Sequence, residues 1–124
     1  INPSMHAGVV GPEAFQHMTA SAVDEKIAAV RAAAGDRLGD IELNIRAFLV
    51  NVTDDGAGAR SRLSGMRGVD DEMLLTSPFA LIGSPAGLVE RLLERREQWG
   101  FSYVIVGAED VDKFAPVVAA LAGK

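Results

Sequence analysis

The sequence predicts an α/β fold, and three observations carry that expectation. Residues 41–52 (IELNIRAFLVNV) alternate with period two and residues 102–106 (SYVIV) form a compact apolar run, so both read as strands. Stretches of helical periodicity lie before, between and after them. The connection between the two strands is long enough for the crossover that parallel strands need. At 124 residues the chain fits one domain, spanning 1–124.

In chain order, Gly11-Pro12-Glu13 marks a turn, and residues 14–18 supply one or two helical turns with Pro12 near the first position. Ser21-Ala22-Val23-Asp24 resembles a capping box, and the helix that follows runs to Ala34. Its stripe is Val23, Ile27, Val30 and Ala34, at spacings of four and three, and Gly35 is the natural stop. The strand over 41–52 carries Ile41, Leu43, Ile45, Ala47 and Leu49 on one face. Its other face begins polar with Glu42, Asn44 and Arg46 and turns apolar at Phe48, Val50 and Val52.

Residues 53–67 are rich in glycine and polar side chains and read as a mobile loop, with 59–63 able to form a short helix. A short helix over 69–76 has Asp70, Asp71 and Glu72 at its start and ends at Ser77-Pro78. Residues 79–83 are brief and extended. Ser84 then caps a helix with Pro85 at its first position, running to Trp99 with Leu88, Val89, Leu92, Leu93 and Trp99 on its apolar side. Gly100 ends it. Arg91, Arg95 and Arg96, interspersed with Glu90, Glu94 and Glu97, read as its solvated face. The strand over 102–106 looks buried on both faces, and a last helix spans 111–122 with Pro116 in its early turns.

Composition narrows the function classes. The net charge of −5, from 17 acidic and 12 basic residues, argues against a nucleic-acid backbone as partner. Zero cysteines exclude disulfides, thiolate nucleophiles and Cys-ligated metals, and fit a cytoplasmic location. No apolar run approaches the roughly 20 residues of a membrane span, and no signal-peptide pattern opens the chain. His6 and His17 stand eleven positions apart without a paired acidic motif, so no metal site is expected. Asp54-Asp55 and Asp70-Asp71-Glu72 lack the ligand spacing of a calcium loop and serve as turn and helix-start residues. Gly83-Ser84-Pro85-Ala86-Gly87 has no P-loop lysine, and helix capping accounts for it.

The segment LIGSPAGLVERLLERREQWGFSYVIV, residues 81–106, resembles the C-terminal signature of the luciferase-like flavin monooxygenase family. DEKIAAVRAAAGDR (24–37), IELN (41–44) and FAPVVAALAG (114–123) are similar to the branch whose members use the deazaflavin coenzyme F420. The resemblance implies the C-terminal portion of a (β/α)8 TIM barrel, from about the end of strand six to helix eight. About 250 residues make a whole barrel. Ile1-Asn2-Pro3-Ser4 then reads as the tail of a strand, and the sheet is expected to be completed by upstream residues or by self-association, as a homodimer or other homo-oligomer.

By the same resemblance the chain belongs to an oxidoreductase that moves a hydride between coenzyme F420 and a small organic substrate, with FMN as the alternative cofactor. Loops 2–11, 53–68 and 107–112 would lie on the barrel face that carries active sites. Arg60, Arg62 and Arg67 are candidates for the acidic tail of the coenzyme, since guanidinium forks match phosphate and carboxylate. His6 is the candidate for protonating or orienting a substrate, although an exposed loop histidine is the simpler account of it. Asn2, Ser4, Asn44 and Arg46 are candidates for substrate contact; a polar network inside the barrel also explains Asn44 and Arg46.

Overall fold

A computed structural model of the chain describes residues 1–4, 8 and 12–124. The order of elements is α1 (Ala20–Ala34), β1 (Leu43–Arg46), β2 (Leu49–Val52), α2 (Gly56–Arg67), α3 (Asp71–Thr76), β3 (Ala80–Gly83), α4 (Pro85–Trp99), β4 (Phe101–Ile105) and α5 (Val111–Leu121). Short 3₁₀ turns cover Pro12–His17, Gly35–Asp40 and Ala108–Asp110. The mixed α/β class holds, with β1 parallel to β4 and β2 parallel to β3.

The alternating segment over 41–52 is divided by a bulge. The amides of Phe48 and Leu49 both donate to the Phe79 carbonyl, at 2.9 and 3.2 Å. Two successive amides on one acceptor shift the alternation by one residue. That shift explains why the second face turns apolar at Phe48: beyond the bulge, Val50 and Val52 join Ala47 in one apolar cluster with Leu81, Leu88, Phe114 and Val117.

The bulge also separates the partners. Ala47 N–H donates to the Ile105 carbonyl on the β4 edge, 2.9 Å. Asn44, three residues earlier, must direct its carbonyl to the opposite edge, and there it accepts from the nitrogen of Ile1 at 2.6 Å. Pro3 is buried and Asn2 exposed, the alternation of an extended segment. Ile1 therefore meets one edge of β1, β4 pairs with the other edge, and β3 pairs with β2 beyond the bulge.

The main cluster fills the space between the sheet, α1, α3 and α4, with Met18, Val23, Ile27, Ile45, Leu74, Phe79 and Trp99 at its centre. The Trp99 and Phe101 rings lie 5.8 Å apart. Trp99 is 3% exposed, and its indole N–H donates to Asp24 Oδ1 at 2.6 Å, which fastens α4 to α1. The α1 stripe is buried at Val23 and Ile27 and half-buried at Val30 and Ala34.

Four local expectations change. The cap of α1 is Thr19, whose hydroxyl accepts from Ala22 N–H at 3.2 Å, because the helix begins one turn-position before Ser21. The loop expected over 53–67 is mostly the helix α2. Asp55 caps it by accepting from Gly58 N–H, Ala59 buries one side, and Gly68 closes it in the left-handed conformation. At Gly56 a Cβ would stand 3.0 Å from Gly83 Cα, so glycine lets the start of α2 approach the end of β3. β4 is not buried on both faces, since Ser102 and Tyr103 are exposed.

The fourth change is Arg95, which is 5% exposed rather than solvated. Leu88, Leu92, Arg95 and Trp99 follow one another at spacings of four, three and four, so Arg95 falls on the inward stripe of α4. Its guanidinium donates to the carbonyls of Ser77 (2.6 Å), Ala80 (3.0 Å) and Pro78 (3.4 Å). Burial, and then Arg91 nearby, push its pKa down to about 9, so it remains charged at neutral pH. Arg95→Ala would strand three carbonyls and is expected to lower the unfolding free energy by about 3 kcal/mol. Arg96→Ala, at an exposed position of the same helix, should cost about 0.5 kcal/mol or less. Urea denaturation of the two variants checks the difference.

Candidate functional site

β1 has the burial pattern half-buried, exposed, buried, exposed, so Leu43 and Ile45 face the helices while Asn44 and Arg46 face outward. Asn44 stands opposite Tyr103 of β4 and Arg46 opposite Ile105. Tyr103 is 53% exposed. Asn2, on the segment beside β1, is exposed as well, while Ser4 is half-buried. Helices cover one face of the sheet, and the other is open and polar, with Asn2, Asn44, Arg46 and Tyr103 on three neighbouring segments.

The contacts on this face are few. The Arg46 guanidinium lies 5.5 Å from the centre of the Phe48 ring. Glu42 Oε1 accepts from the Ser102 hydroxyl at 3.4 Å. The face therefore combines a carboxylate, a guanidinium, a carboxamide and a phenol, which can bind and orient a polar organic molecule. Among the described residues, no group of three His, Cys, Asp or Glu side chains converges in a way that would hold a metal.

The three arginines of α2 do not act as one cluster. Arg60 turns inward: its side chain is 15% exposed, with Nε 3.7 Å from Asp71 Oδ1, too far for a hydrogen bond. Arg62 is exposed and pairs with Asp55 Oδ2 at 3.3 Å. Arg67 is exposed in the last turn of the helix. Arg62 and Arg67 can reach a solvent-borne anion, whereas Arg60 braces α2 against α3. Its neighbour in charge is Arg91, which donates to the Ile82 carbonyl at 3.3 Å. Burial first, and then Arg60, lower the Arg91 pKa, while Glu94 acts in the opposite direction.

His6 lies outside the described residues, as does most of the loop over 2–11. His17 is half-buried in the turn before α1. Tyr103 went unassigned in the sequence, and Arg95 was placed on the solvated face of its helix. The only tyrosine of the chain sits beside Ser102, a polar pair that marks one open face of an otherwise apolar strand. For Arg95 the signal was the spacing to Leu88, Leu92 and Trp99.

Arg60→Met tests the inward arginine. The thioether chain fills similar space without a charge whose Nε has no hydrogen bond, so unfolding free energy should change by less than about 1 kcal/mol. A loss above about 2 kcal/mol in chemical denaturation would show that the contact with Asp71 carries more stability than its length suggests.

Scans against protein-family models, curated proteins and solved structures return no match to this chain.

Proposed function

We propose that this chain is the C-terminal part of a luciferase-like (β/α)8 barrel, and that the barrel transfers a hydride between coenzyme F420 and a small organic substrate. The observation that supports this most is the sheet order. β1 pairs with β4 and meets Ile1 at its other edge, with α1 and α4 packed on one face and a polar surface on the other. In a barrel the helix-covered face is the outside and the other lines the interior. The Ile82-Gly83-Ser84-Pro85 turn, with Ser84 accepting from Gly87 N–H, adds the local geometry of the signature.

On this reading Asn2, Ser4, Asn44 and Arg46 contact substrate, and Tyr103 joins them. Arg62 and Arg67 hold the acidic tail of the coenzyme, with Arg60 supporting their helix. His6 handles the proton. F420 supplies the hydride chemistry when bound, and FMN is the nearest alternative. In this reading the location is cytoplasmic, and neither nucleic acid nor membrane is a partner. Among the described residues no helix is long and apolar enough to cross a membrane.

A second reading has its own support: a catalytically silent module that completes its sheet with a second copy. β4 pairs only with β1 among the described residues, and Tyr103 and Val118 are 53% and 58% exposed beside a cleft of about 310 Å³. Light scattering after size exclusion separates the two. Twice the 13.1 kDa chain mass supports self-association, and a monomer with a cooperative melt counts against it.

Titration with F420 and with FMN, followed by coenzyme fluorescence, tests the enzymatic reading. Saturable F420 binding is expected, weakened at least about tenfold in the double variant Arg62→Gln, Arg67→Gln, as loss of charge-assisted hydrogen bonds implies. Absence of binding to either coenzyme would falsify the reading for this chain.

A further inference from the structure

A cleft of about 370 Å³ opens between β2 and α2. That volume is within the range of small-molecule sites. Phe48, Leu49, Leu63 and Ile82 make its lining apolar, while Asn51 and Arg62 contribute polar groups. The Arg46 guanidinium, stacked over the Phe48 ring, adds a second cation beside it. Met66 belongs to the lining and is 79% exposed, more than Ile41, Tyr103, Val111 or Val118.

Two independent features indicate what this cleft would take. An apolar lining with a flexible, exposed thioether favours an apolar or aromatic body, since such a side chain repacks readily around a ligand. The cation is local: α2 itself carries Arg60, Arg62 and Arg67 and no acidic side chain, with Asp55 and Asp71 at its flanks as counterions, and among the residues lining the cleft Arg62 is the charged one. Arg62 has Asp55 as its counterion, but both side chains are about two-thirds exposed, at 66% and 63%. A surface pair of this kind contributes little and exchanges readily for a better acceptor. The carboxylate of a ligand lying on the apolar floor would meet Arg62 at one wall, with Asn51 exposed alongside.

We infer that the cleft between β2 and α2 binds a small aromatic carboxylate, with the ring over Phe48 and Leu63 and the acid group at Arg62. The site shares Arg62 with the coenzyme reading but does not rest on it, and its test uses no coenzyme.

The probe is 2-naphthoate, with neutral 2-naphthylmethanol as the control, titrated into the isotope-labelled 124-residue chain and followed by NMR. The expected result is saturable shifts at Phe48, Leu63 and the Met66 methyl group. Affinity should fall about threefold to tenfold in Arg62→Gln, as loss of one charged partner at an exposed site implies, and stay unchanged in Lys113→Gln on α5. Arg62 is exposed, so its replacement leaves the fold intact; unchanged dispersion in the variant's spectrum verifies this. Equal binding of the alcohol, shifts confined to the cleft between α4 and α5, or no saturable shift would each overturn the proposal. Loss of F420 binding with retention of naphthoate binding would leave this site standing and count only against the coenzyme reading.

Discussion

The arrangement of this chain depends on one buried cation. The Arg95 guanidinium has no carboxylate among its hydrogen-bond partners; it spends its donors on the carbonyls of Ser77, Pro78 and Ala80. Removing a charge from water costs several kcal/mol, and that cost is tolerable only when strong acceptors replace the lost solvent. The acceptors here are the Ser77 and Pro78 carbonyls of the turn that leaves α3 and the Ala80 carbonyl at the first residue of β3. By collecting them, Arg95 fixes α4 against the start of β3. The Ser77 hydroxyl carries the constraint on to the Met18 carbonyl, and so to the segment that leads into α1.

From that anchor the sheet follows. β3 reaches the central segment at Phe79, whose carbonyl receives the amides of both Phe48 and Leu49. The resulting bulge divides a twelve-residue alternating run into two strands with different partners. Below the bulge, β1 pairs with β4 on one edge and meets Ile1 on the other. Above it, β2 pairs with β3 and turns toward α2. The polar face at Asn44 and Arg46 and the cleft at Phe48 are consequences of the same discontinuity, which places them next to each other.

Electrostatics then distinguishes these two surfaces from the rest of the molecule. The chain is acidic overall, yet α2 is purely basic and Arg46 stands outside the core. Asp55 and Asp71 flank that helix as counterions, and the exposed Arg62–Asp55 pair leaves the Arg62 guanidinium open to exchange with another acceptor. The other surface property is an incomplete sheet. Strands with one paired edge carry unused amide and carbonyl groups, which bind another strand wherever the chain finds one. A further strand pairing at such an edge would answer that demand.

Much of the local structure was legible from the residues alone. Thr19 apart, the helix boundaries followed from short-range rules: Ser84 before Pro85 opens α4, Gly100 closes it, and the spacing of Val23 and Ile27 orients α1. The polar positions Asn44 and Arg46 were also visible, because alternation is a property of neighbours. α2 was not, since its glycines and polar residues disfavour a helix until Asp55 caps it and Ala59 packs. What only the tertiary structure decided was which of three α4 arginines is buried, where the central strand breaks, and which face of β4 stays open. Each depends on a partner remote in sequence: the 77–80 carbonyls, the Phe79 carbonyl, and the helices of the main core. The sequence determined where the elements lie because helix and strand propensities act within a few residues. Their pairing and burial were decided by hydrogen-bond acceptors and apolar surfaces that come together only when the chain has folded.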